Sequence, residues 1–113
     1  VDRLLALEAT LRRAWDYTGG RTPLLVTENG IGTDDDAQRI RYLESALEGV
    51  LRALADGVAV RGYTCWSLLD NFEWSFGYKP RFGLVEVDRT TFARTPKASA
   101  HWLADVAKAN ALP

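Results

Sequence analysis

Pro23-Leu24-Leu25-Val26-Thr27 is a run without polar alternation, and it passes at once into Glu28-Asn29-Gly30. No other stretch restricts the fold as much. A strand with one wet face alternates, whereas a continuous run bounded by turn residues marks a strand covered on both faces, as in a parallel sheet. Parallel strands cannot be joined by a tight turn; they need a crossover, usually a helix. The flanks supply helices on both sides. Leu4, Leu7, Leu11 and Trp15 recur at helical steps, and Gly19-Gly20 stops that helix before Arg21. Ile40, Leu43, Leu47, Val50, Leu51 and Leu54 repeat the pattern after Thr33-Asp34-Asp35-Asp36, whose acids suit the positive end of a helix dipole. That acid run reads as a helix start rather than a metal site. Gly57 closes the second helix, and a second strand is expected within 58–69, with 63–69 its densest part. A short strand is expected over 83–88, and Pro96 is expected to open a last helix with Ala98, Trp102, Leu103 and Val106 inward. The order helix, strand, helix, strand predicts an α/β unit with parallel strands. Two such units do not close a barrel.

Charge and composition exclude several functions. The formal net charge is -1, with acids and bases interspersed, so there is no electrostatic footprint for nucleic acid or an anionic membrane. No apolar run approaches the roughly 20 residues of a membrane span, and the charged start of the chain does not fit a signal peptide. Cys65 is the single cysteine, which excludes an internal disulfide and a thiolate cluster, and its strand-like surroundings suit a buried filler. A soluble, cytoplasmic protein without metal or cofactor is the expectation. The chain contains no methionine and begins inside a helical pattern, which predicts a fragment.

In α/β sheets, function collects in loops beyond the carboxyl ends of strands. Both unusual segments lie there. Glu28 ends the first strand and the aromatic stretch from Trp66 to Phe82 follows the second, so adjacent strands aim a carboxylate and several rings toward one basin. A sugar offers an apolar face for an indole and a rim of hydroxyls for carboxylates and N–H donors; Trp66, Glu73, Trp74 and Phe82 are of the right types. Each also has a plainer explanation. Asn29-Gly30 alone is a hairpin turn signal, although a helix rather than a strand follows it. Trp66 could be core, and Trp74 and Phe76 could pack a loop. Glu73, between Phe72 and Trp74, needs a partner or a task. His101 lies on the polar side of the last helix.

Taken together, "TENG" at 27–30 and "WSLLDNFEWSFGYKPRFGLVEVD" at 66–88 resemble the carboxyl-terminal end of glycoside hydrolase family 1, the β-glucosidase family. The resemblance runs from about the first helix through the last. It implies that residues 1–113 form the carboxyl-terminal part, about strands seven and eight with flanking helices, of a TIM (β/α)8 barrel. It also implies roles: Glu28 as nucleophile, Glu73 and Trp74 on the outer hydroxyls of the glycone, Trp66 as platform under the ring, and Phe82 lining the same pocket. Retention of the acid and indole at 73 and 74 implies a neutral β-glucoside, galactoside or fucoside rather than a sugar phosphate. A cis peptide between Trp66 and Ser67 is a further expectation. The family's acid/base lies in an Asn-Glu-Pro motif, and none occurs in this sequence. The remainder of a barrel would therefore be needed for a complete site. A non-catalytic sugar-binding module or a structural fragment are the alternatives.

Overall fold

The computed structural model describes residues 6–113; Leu4, expected on the first helix's inner face, lies outside them. Helix α1 spans Ala6–Tyr17, strand β1 Leu24–Asn29, helix α2 Asp36–Ala55 and strand β2 Val60–Cys65. A short 3-10 turn at Trp74–Phe76 precedes β3, Val85–Val87, and β4, Arg94–Pro96; helix α3, Ala98–Ala109, follows. Strands β1 and β2 are parallel, as a helical crossover requires, with Leu24 opposite Val60 and Val26 opposite Tyr63. No closed barrel forms among the described residues.

The core sits between this two-stranded sheet and the helices, where Leu11, Val26, Val50, Ala53, Val58 and Val60 are buried together. Burial of each large aliphatic side chain there contributes about 1.5–3 kcal/mol. Only one face of β1 is covered in this way. Leu25, on the other face, is 61% exposed, and its Cδ1 lies 2.7 Å from where a Cβ on Gly62 would stand. The expectation of a strand covered on both faces is thus corrected. The run is apolar on both sides, but the helices reach one side alone.

Local chemistry explains the element ends. Gly19 and Gly20, at φ +64 and +66, end α1 in the left-handed region that glycine adopts without strain. Asp35 is the N-cap of α2, and its carboxylate accepts from the Ala37 and Gln38 amides at 3.0 and 3.2 Å, satisfying donors the helix leaves open. The acid run is indeed a helix start.

Two boundaries differ from the sequence expectation. Strand β2 ends at Cys65, so much of the densest part, 66–69, lies beyond it. The Ser67 amide donates to the Phe82 carbonyl, and those of Leu84 and Val85 donate to the carbonyls of Ser67 and Leu68. Residues 67–69 have changed partners, which is why the strand stops there. Pro96 closes β4 opposite Val85 rather than opening α3, a position open to proline at a sheet edge. Ala98 is exposed and Ser99 fully buried in its place, while Trp102, Leu103 and Val106 are half-buried.

Ser99 is inward because it satisfies Asp36. Its amide and hydroxyl donate to the Asp36 carboxylate at 2.8 and 2.7 Å, which joins the starts of α2 and α3. Arg39, 1% exposed, donates to the same carboxylate, to the Thr33 carbonyl at 2.6 Å and to the Arg81 carbonyl at 2.5 Å. Burial works to raise the Asp36 pKa, but the Ser99 donors and the Arg39 guanidinium outweigh it and hold the carboxyl below its ordinary value. A carboxylate depressed in the folded state adds stability above its unfolded pKa, about 3.9, and loses it as pH falls through the folded value. Urea midpoints should therefore fall as pH drops below about 4. Asp36→Asn should lie lower at neutral pH and flatten that acid limb; an unchanged limb would remove Asp36 from the effect.

Candidate active site

Because β1 and β2 run parallel, their carboxyl ends share one rim, and Glu28 and Trp66 both stand on it. Glu28 is the next-to-last residue of β1 and is exposed. The register slips by one residue between Val26 opposite Tyr63 and Asn29 opposite Cys65. This irregularity turns Asn29 toward the helix layer, where its Oδ1 accepts from the Tyr63 hydroxyl at 2.8 Å and its Nδ2 donates to the Tyr42 hydroxyl at 3.2 Å. Burial pushes the Tyr63 pKa up, which keeps that hydroxyl a neutral donor. With Asn29 held behind the strand, its neighbour Glu28 is left toward the open side, because adjacent strand residues face opposite ways. The Glu28 carboxylate makes no hydrogen bond among the described residues.

Trp66 follows β2 directly and is half-buried. Its amide donates to the Asn29 carbonyl at 2.9 Å, and its peptide bond to Ser67 is cis, as expected. A Cβ on Gly30 would lie 1.7 Å from the Trp66 carbonyl oxygen, so the two chains touch backbone to backbone. Phe82 completes this side of the rim: its ring lies 3.0 Å from where a Cβ on Gly32 would be, and its carbonyl accepts from the Ser67 amide. Glycines at 30 and 32 thus bring the two rim segments within contact. The sequence marked Gly30 as part of a turn but gave no sign that it was a contact surface.

Glu73 and Trp74 lie on a loop that leaves at Asp70 and returns at Gly83. Trp74 is 83% exposed and holds φ +46, the left-handed region that a bulky residue rarely adopts. Glu73 is half-buried and its carboxylate, like that of Glu28, accepts no hydrogen bond among the described residues. The structure therefore places Glu28, Trp66 and Phe82 in adjoining segments, with Glu73 and Trp74 carried by the loop between Trp66 and Phe82. Cys65 lies behind the rim; burial pushes its thiol up to about 11, which suits a filler rather than a nucleophile. His101 is exposed on α3.

Supporting residues escaped the sequence reading. Asn29, Asp70 and Lys97 hold the rim through hydrogen bonds to segments distant in sequence. Arg39 does the same for the loop that ends at Phe82. The spacing of Asp36 and Arg39, one helical turn apart, was the only local signal for any of them.

The chain is similar to known proteins. The family profile described as Glycosyl hydrolase family 1 matches residues 5–112. The thermostable β-glucosidase B of Thermobispora bispora is 46% identical over 110 residues, 90% of this chain and 23% of that protein. A β-galactosidase of Sulfolobus acidocaldarius is 46% identical over 103 residues, 91% of this chain and 21% of that protein. The chain thus spans about a quarter of the length of these relatives. The β-glucosidase of Thermotoga maritima in complex with azafagomine superposes with a TM-score of 0.93 at 36% identity, over 97% of this chain and 27% of that one. A profile match over nearly every residue, together with a superposition over nearly the whole chain, leaves one assignment: the chain belongs to glycosyl hydrolase family 1.

Proposed function

We propose that this chain is the carboxyl-terminal part of a retaining β-glycosidase, with β1 and β2 as strands seven and eight of its (β/α)8 barrel. The observation that carries the reading is the parallel pairing of these strands, with the Trp66 amide on the Asn29 carbonyl, which seats the Glu28 and Trp66 segments on one rim. Glu28 is the nucleophile. A carboxylate oxygen attacks the anomeric carbon, the bond to the leaving oxygen breaks, and that oxygen takes a proton from a second carboxyl group that stands about 5–5.5 Å from the nucleophile's and within hydrogen-bond reach of the leaving oxygen. Water then cleaves the glycosyl ester. The acid is supplied by the remainder of the barrel, since this chain has no Asn-Glu-Pro segment.

Trp66 lies under the sugar ring, Glu73 accepts from its outer hydroxyls, Trp74 donates to a neighbouring one and Phe82 closes the pocket wall. A free carboxylate at 73 repels a sugar phosphate and favours a neutral β-glycoside. Relatives named for β-glucosidase and β-galactosidase activities are equally similar to this chain, which fits a neutral hexoside. The exposed face of β1, with Leu25 and the unpaired outer edges of the two strands, is the surface that the rest of the barrel covers.

The test is reconstitution. Mixed or fused with the amino-terminal part of a family barrel, the chain should hydrolyse an aryl β-glucoside with retention of configuration, whereas alone it should show no turnover. Inversion in the product, or activity of the amino-terminal part that the chain does not raise, would defeat the proposal.

A further inference from the structure

Asp70 and Gly83 stand where the loop carrying Glu73 and Trp74 leaves and rejoins the fold. The Gly83 amide donates to Asp70 Oδ1 at 2.9 Å, and a Cβ on Gly83 would lie 2.2 Å from the Asp70 nitrogen. The two sides of the neck are therefore in backbone contact. Lys97, from just before α3, bridges them: Nζ donates to Asp70 Oδ1 at 3.1 Å and to the Gly83 carbonyl at 2.7 Å. The Lys97 and Asp70 side chains are 14% and 9% exposed, whereas the Arg81–Glu86 pair beyond the neck is 47% and 51% exposed. Water and salt screen the second pair far more than the first.

Arg89 braces the same residue from another side. Its Nη2 donates to the Asp70 carbonyl at 2.6 Å, and its guanidinium carbon lies 4.1 Å from the Tyr78 ring centroid. Tyr78 in turn meets Phe72 edge-on, with centroids 5.3 Å apart. Phe72 immediately precedes Glu73. Within the loop, the Glu73 amide donates to the Gly77 carbonyl at 2.7 Å and the Phe76 amide to the Glu73 carbonyl at 2.9 Å. Those bonds shape the turn without tying it to the scaffold.

We propose that Asp70 and Lys97, braced by Arg89, are positioning residues: their buried pair locks the neck of the loop and thereby sets where Glu73 and Trp74 meet the sugar. The inference rests on the reading of those two as glycone contacts. Neither holds itself in place. Trp74 is largely exposed and the Glu73 carboxylate has no partner among the described residues, so the aim of both is inherited from the neck.

Amide hydrogen exchange on the 113-residue chain tests the lock. Lys97→Met should speed exchange at Glu73, Gly77 and Gly83 about tenfold or more while Leu43 and Val50 in α2 keep the parent rate. Loop amides that stay at the parent rate would overturn the proposal. Should that variant unfold throughout, Asp70→Asn, which keeps an acceptor for Gly83 but removes the charge, carries the same expectation and the same refutation. Positioning is then read in the reconstituted barrel with an aryl β-glucoside. Lys97→Met and the double variant Glu73→Gln/Trp74→Phe should each lower kcat/KM, and the triple variant should fall within about threefold of Glu73→Gln/Trp74→Phe, because Lys97 acts through those two residues. Losses that multiply would reduce the pair to a structural bond and overturn its positioning role. A Glu73→Gln/Trp74→Phe barrel with parent kcat/KM would sink the glycone reading and the positioning role with it, while loop-confined exchange would still establish the lock.

Discussion

Glu28→Gln in the reconstituted barrel is expected to lower kcat by about 10⁴- to 10⁶-fold, the scale on which loss of a nucleophile acts in enzymes that pass through a covalent intermediate. That corresponds to about 5–8 kcal/mol of the barrier. Glutamine keeps the size and shape of the side chain but has no carboxylate electron pair to form the glycosyl ester. The substitution should leave the fold intact, because Glu28 is exposed and its carboxylate accepts no hydrogen bond among the described residues. Loss of turnover with an unchanged urea midpoint therefore reports chemistry alone. Glu73→Gln, which weakens a binding contact, should cost far less. A folded Glu28→Gln barrel that turns over at the parent rate would remove Glu28 from the proposed role.

Elements set by short-range chemistry were legible in the sequence. The helical spacing of Ile40, Leu43, Leu47 and Val50, the helix start at the acid run 34–36 and the glycine stop at 19–20 depend on neighbours within a turn, and each appears where its residues indicated. The shared rim was legible for a related reason: once two strands are parallel, their carboxyl ends must lie together, which brings Glu28 and Trp66 to the same end.

What escaped was decided by partners far along the chain. The apolar run continues past Cys65, yet Ser67 and Leu68 pair with 82–85, and nothing local marks that exchange. Arg39 sits between Gln38 and Ile40 like any residue of a solvated helix face, but carbonyls from Thr33 and Arg81 close over it. Ser99 replaces Ala98 inside because the half-buried Asp36 carboxylate needs donors more than the core needs a methyl group. Glu73 and Trp74 could be picked out by type, but their attachment through Asp70 and Lys97 spans 27 positions of sequence separation.

Gly30→Ala should be the most destructive single change to this chain's stability, costing more than about 4 kcal/mol, a large part of the 5–15 kcal/mol that holds a typical domain. The added Cβ would lie 1.7 Å from the Trp66 carbonyl oxygen and 2.8 Å from its carbonyl carbon. Neither side can give way cheaply. Trp66 is held by its own amide on the Asn29 carbonyl at 2.9 Å, and the following residue by the Ser67 amide on the Phe82 carbonyl at 3.2 Å. Relief would thus require breaking the bonds that seat Trp66 beside Glu28. Gly57→Ala provides the contrast. Its backbone is left-handed at φ +89, but nothing lies within 4 Å of the added methyl, so only the conformational cost of about 1–3 kcal/mol remains. Urea titration of the two variants separates close approach from backbone strain. A Gly30→Ala midpoint at or above that of Gly57→Ala would mean that the Glu28 and Trp66 segments are not pressed together at the rim, and the geometry on which the nucleophile assignment rests would be lost.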